Sequence, residues 1–146
     1  MAIRYQHTQR GTLMIVVTLL CALVAATAAY ADTGSRWATG GLAIGMAILS
    51  WLFSSLTVIV NDSELRWYFG PGLWTYRLPL DEIKDVAVVR NQWWNGFGIR
   101  MARGFRLYNV SGLDAVELRV GPNDVRRIGT DDPNGLSDAL KSSRRA

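Results

Sequence analysis

Two long stretches without a charged side chain set the terms for this chain. Neither residues 12–31 nor residues 37–60 contain an Asp, Glu, Lys or Arg. Wound as helix, twenty residues extend about 30 Å, the hydrocarbon thickness of a bilayer. A plain soluble domain is excluded, because a chain of 146 residues has too little other substance to bury two such blocks. An all-membrane protein is excluded as well. From Asn61 onward the sequence carries 13 basic and 11 acidic residues, the charge density of a domain that folds in water. The expected organisation is bipartite, with a membrane hairpin followed by one small domain.

The boundaries follow from local chemistry. Residues 1–11 are expected as a cytoplasmic tail, 12–31 as a first transmembrane helix, 32–36 as an external linker and 37–55 as a second. Leu56-Thr-Val-Ile-Val60 is β-branched and runs into Asn61-Asp62, a turn signal, so it reads as the first strand of a cytoplasmic domain over 56–146. Trp37, Trp51 and Phe53 fall where interfacial rings are favoured. Arg4 and Arg10 precede the first span while the linker is neutral overall, so the positive-inside rule places both the N-terminus and the domain in the cytoplasm. Ala29-Tyr30-Ala31 also fits a signal-peptidase site, and cleavage of residues 1–31 stays open.

Beyond Asn61 the apolar period becomes two. Leu65, Trp67 and Phe69 alternate with polar neighbours, Gly70-Pro71-Gly72 turns the chain, and Trp74, Tyr76 and Leu78 alternate again. Further strands are expected over 85–90, 98–102, 105–109, around 116–120 and over 125–128. Asp132-Pro133 then opens a helix whose apolar face is Leu136, Ala139 and Leu140. The fold class expected is a membrane α-hairpin plus a mainly-β domain, a bent antiparallel sheet or barrel closed by a C-terminal helix.

The runs Trp94-Asn-Gly-Phe-Gly-Ile-Arg100, Gly104 to Leu118 and Ile128-Gly-Thr-Asp-Asp-Pro133 resemble bacterial pleckstrin-homology-like (PH-like) membrane proteins. The resemblance spans roughly residues 56–142. It implies a cytoplasmic PH-like barrel of about seven strands capped by a helix, in the bacterial cell membrane, and it brings no activity. The 14 Arg against 2 Lys fit the coding bias of a GC-rich bacterium. In PH domains inositol phosphates are often held by basic residues at the first hairpin; here that hairpin is Asn61-Asp62-Ser63-Glu64, acidic instead.

Chemistry is sparse. His7, the only histidine, is placed in the tail, and Cys21, the only cysteine, lies mid-span. No Ser–His or Cys–His pair is expected within the domain, nor any metal-ligand spacing, so no catalytic residue, metal or cofactor is assigned and the chain reads as a non-enzyme. The near balance of charge argues against nucleic acid. One segment stands out. Val86 to Leu113 lacks acidic residues and carries Arg90, Arg100, Arg103 and Arg106 with Trp93 and Trp94, a composition suited to anionic headgroups or to a protein partner. Two adjacent tryptophans cannot both point inward on one strand. In the second helix, Gly41 and Gly45 give a small-residue face, read as packing within the hairpin or, more sharply, as the interface of a homodimer or a larger membrane complex.

Overall fold

The computed structural model describes residues 2–31, 36–102 and 104–143. In chain order the elements are β1 (Ile3–Arg10), α1 (Thr12–Ala31), α2 (Arg36–Leu52), β2 (Ser55–Asn61), β3 (Glu64–Phe69), β4 (Thr75–Pro79), β5 (Asp85–Arg90), β6 (Gly98–Ala102), β7 (Phe105–Asn109), β8 (Asp114–Arg119), β9 (Val125–Gly129) and α3 (Pro133–Ser143). Short 3-10 turns stand at Leu80–Glu82 and Trp93–Asn95.

The first departure from expectation is at the N-terminus. Residues 3–10 are not a tail but an edge strand, antiparallel to β2 from Ile3 opposite Asn61 to Arg10 opposite Ser55. No apolar run marks this strand, since IRYQHTQR buries little. Its backbone is recruited by β2, which would otherwise expose a full row of unpaired amides and carbonyls.

Four strands form one sheet in the order β1-β2-β3-β4, and five form a second in the order β5-β8-β9-β7-β6. The pairings are antiparallel except β7 with β9, which run parallel. The barrel expected from the sequence is not closed; two sheets pack face to face instead, with nine strands among the described residues where about seven were expected. Their shared core joins Leu56, Val58, Leu65, Trp67 and Phe69 of the first sheet to Tyr108, Val116, Leu118 and Ile128 of the second. Trp67 is fully buried, stacked on Tyr76 at 5.5 Å and edge-on to Tyr108 at 5.2 Å. Such a ring cluster adds directional contacts to the area it removes from water. Helix α3 lies against β1, β2, β5 and β8, so it bridges the two sheets through Leu136 and Leu140, both fully buried. Its N-cap is Asp132, whose carboxylate accepts the Gly135 amide at 3.0 Å.

Helices α1 and α2 pack along one another and leave apolar side chains uncovered, Leu23 and Val24 on α1 and Leu42 and Ile44 on α2 among them. Helix α1 is, among the described residues, the one helix long and apolar enough to cross a membrane, with a mean hydropathy of 2.4; a signal sequence has the same character. Helix α2 has 17 residues and stops at Leu52, three short of the expected boundary, because the chain turns at Phe53-Ser54 to enter β2.

Candidate membrane-facing site

The junction between helices and sheet is tight. Strand β1 runs into α1 through one residue, Gly11, whose amide donates to the Ser54 carbonyl at 2.7 Å. The Gly70 amide donates to the Ser55 carbonyl at 2.9 Å. Gly70 has a φ of +45°, and a Cβ there would stand 2.6 Å from the Leu52 carbonyl oxygen and 2.7 Å from that of Trp51. Only glycine satisfies both demands. The last turn of α2 is thereby seated on the β3–β4 turn, and the domain has no linker on which to swing.

Strand registers decide which loops share this helix-proximal end. Phe69 lies opposite Leu56 and Thr75 opposite Tyr68, so the β3–β4 turn is here. Phe53 makes the connection outward. Its ring meets Phe69 at 5.3 Å and Trp74 at 6.4 Å, and the Cβ position of Gly98 lies 3.9 Å from its Cε1. The segment leading into Gly98, which carries Trp93 and Trp94, and the Gly70–Trp74 turn thus both come close to Phe53, where α2 ends.

The surface expected from composition is only partly assembled. Trp93 and Trp94 are 74% and 63% exposed, edge-on to each other at 5.8 Å, on the 3-10 turn that joins β5 to β6. The sequence Asn95-Gly96 is the pattern of a tight hairpin turn, yet here it is not one, since β5 and β6 stand at opposite edges of the second sheet. Arg90 ends β5 beside this turn and lies 3.8 Å from Asp114. Arg100 folds back, its Nε donating to the Phe97 carbonyl at 3.2 Å. Arg106 is elsewhere: it sits at the far end of the β6–β7 hairpin, opposite Met101. Arg103 lies outside the described residues. Gly41 and Gly45 do not face α1, for a Cβ on either would meet nothing within 4 Å. Packing within the hairpin therefore does not use this face.

Several residues of the helix-proximal and distal ends were not singled out by sequence. Leu73 and Trp74 are exposed at the tip of the β3–β4 turn; two large apolar residues following Gly-Pro-Gly are the signal, since turn tips are ordinarily polar. His7 belongs to the domain, its Nε2 2.5 Å from Asp131 Oδ1, and the Tyr5 hydroxyl donates to Asp132 Oδ2 at 3.0 Å. Burial first, then the Asp132 carboxylate, push the Tyr5 hydroxyl well above the ordinary tyrosine range. These contacts fasten β1 to the start of α3. At the far end Arg4 pairs with Asp62 at 2.6 Å, which holds that carboxyl below the usual carboxylate range.

Compared with known families, curated proteins and solved structures, the chain matches none.

Proposed function

We propose that this protein is a non-enzymatic, membrane-anchored interaction module with a PH-like domain. Its helix pair spans the bacterial cell membrane twice and its domain presents a tryptophan-bearing surface at the cytoplasmic leaflet. The observation that carries this reading is the pairing of β1 with β2 around an uncovered apolar helix pair. If α1 crosses a bilayer, the strands before α1 and after α2 can pair only if α2 returns. Cleavage after Ala31 would remove β1 and the Tyr5 and His7 contacts with it, which speaks against a signal peptide. The PH-like assignment rests on the sequence runs given above; two packed sheets with a C-terminal helix agree with it, and the parallel β7–β9 pair departs from a simple meander. Trp93 and Trp94 prefer an interface, and they stand at the end of the domain nearest the helices.

The test uses single cysteines placed on β1 (Gln6→Cys) and near the distal end (Asp81→Cys) in a Cys21→Ser background, in intact cells and inverted vesicles. Both are expected to react only in inverted vesicles. Labelling of either from outside intact cells refutes the orientation. A mature chain lacking residues 1–31 refutes the two-span anchor.

A second reading is a structural accessory subunit of a membrane complex. It is favoured by one observation, the open space beside Gly41 and Gly45, which lets a second helix approach closely. Gly41→Leu with Gly45→Leu is expected to release such partners in mild detergent.

A further inference from the structure

The outer face of the β3–β4 hairpin carries an arrangement that the domain's own stability does not account for. Arg66 and Arg77 stand directly opposite each other across the strand pair. Like charges in that position repel. Among the described residues neither forms an ion pair, and the Arg66 Nε is shielded from solvent without a hydrogen-bond partner. Elsewhere in the domain comparable arginines are neutralised: Arg126 by Asp124 at 2.8 Å and Arg127 by Glu117 at 2.7 Å. The two guanidinium groups line a groove of about 280 Å³ together with Tyr68, Pro71, Gly72 and Thr75. Among the described residues no carboxylate lines it. The Tyr68 ring lines it, its Cδ2 3.6 Å from where a Gly72 Cβ would stand. The missing side chain at Gly72, whose φ is +88°, keeps the groove open toward the turn.

We propose that this groove binds a phosphate group, the headgroup phosphate of an anionic lipid in the leaflet beside the helices. Arginine suits the task because its planar fork donates two parallel hydrogen bonds to one oxyanion. A phosphate between Arg66 and Arg77 replaces their repulsion with two such pairs. The position selects lipid over other sources. The groove opens beside the same turn whose tip exposes Leu73 and Trp74, and Trp74 stacks on Phe53 where α2 ends. An apolar tip with basic groups behind it fits the boundary between acyl chains and headgroups. With Trp93 and Trp94 exposed on the segment that leads into Gly98, which also borders Phe53, the domain would rest on the leaflet at two points. This inference rests on the membrane-anchored reading above for the source of the phosphate, and on the arginine pair alone for its chemistry.

The experiment reconstitutes the full chain in phosphatidylcholine nanodiscs and measures the association of spin-labelled phosphatidylglycerol relative to spin-labelled phosphatidylcholine. The wild-type chain is expected to prefer phosphatidylglycerol, and R66Q/R77Q to lose about 30-fold of that preference, about fivefold for each arginine. The near-UV circular dichroism of the Trp67 cluster reports whether the variant is folded. Because the substitution removes like-charge repulsion, its thermal midpoint in pure phosphatidylcholine is expected to equal or exceed that of the wild type. Inorganic phosphate titrated into the detergent-solubilised chain forms the second arm. A midpoint raised by phosphate and insensitive in R66Q/R77Q, without any lipid preference, keeps the site and overturns the lipid as its ligand. No response to either probe, or an equal response in R66Q/R77Q, overturns the site. W93A/W94A measured in parallel separates the two readings. Loss of lipid preference there but not in R66Q/R77Q removes this inference and leaves the Trp93–Trp94 surface standing.

Discussion

Gly70→Ala probes the junction that holds the domain against its helices. Two costs act at this position. The backbone is in the left-handed region, φ +45°, which costs an L-residue about 1–2 kcal/mol. The new methyl would also press on the Leu52 and Trp51 carbonyl oxygens at 2.6 and 2.7 Å, forcing the end of α2 away from the β3–β4 turn at a further cost of about 1–3 kcal/mol. Gly104→Ala supplies the control, because Gly104 has a φ of +89° with nothing within 4 Å of its Cβ position. Gly104→Ala thus carries a positive-φ cost without the steric clash. For a domain of this size each kcal/mol displaces the thermal midpoint by about 4–8 °C. The assay is thermal unfolding of the full chain in nanodiscs, followed by near-UV circular dichroism. Gly70→Ala is expected to unfold well below Gly104→Ala, and faster hydrogen exchange at the residue 70 amide should accompany it. Equal midpoints for the two variants would falsify the claim that α2 is seated on this turn.

Two further outcomes follow from β1 and its fastenings. The Tyr5 hydroxyl is held above its unfolded value of about 10. Its contribution to stability is therefore complete below that pH and is lost as pH rises through the folded value. Tyr5→Phe is expected to cost about 1 kcal/mol at neutral pH and to narrow its gap to the wild type in alkaline urea titrations; a gap independent of pH contradicts the Tyr5–Asp132 contact. Arg10 and Ser55 face each other in register, so replacing residues 11–54 by an Asn-Gly turn should close a β1–β2 hairpin and yield a domain that folds in water. A chain beginning at Ser55 should instead aggregate through the bared edge of β2. Equal solubility of the two chains, judged by size-exclusion chromatography, argues against an integral β1.

Much of the domain was legible because period-two alternation reports burial directly. The strand over 64–69 buries Leu65, Trp67 and Phe69 as that pattern expects, strands also stand at 85–90, 98–102 and 105–109, and the helix opens at Asp132-Pro133 as the cap chemistry expects. Strand β1 was not legible, since its pairing is made by backbone groups while its side chains remain largely in water. The candidate surface was half legible. Adjacency requires only that one of Trp93 and Trp94 face outward; both are exposed because they sit on a 3-10 turn rather than on a strand, and Arg106, near them in sequence, stands at the far end of its hairpin.

The sequence by itself determined that this chain pairs an apolar helical segment with a small, mostly β, water-facing domain, because uncharged length and alternation are local properties. The tertiary structure alone decided three things. It joined β1 to β2 across the intervening helices, it turned the Gly41 and Gly45 face outward, and it set Arg66 against Arg77 with no ion-pair partner among the described residues. The first depends on segments distant in the chain, the second on which face of α2 is left uncovered, and the third on the β3–β4 register, and these are fixed by which backbone edges and apolar faces meet.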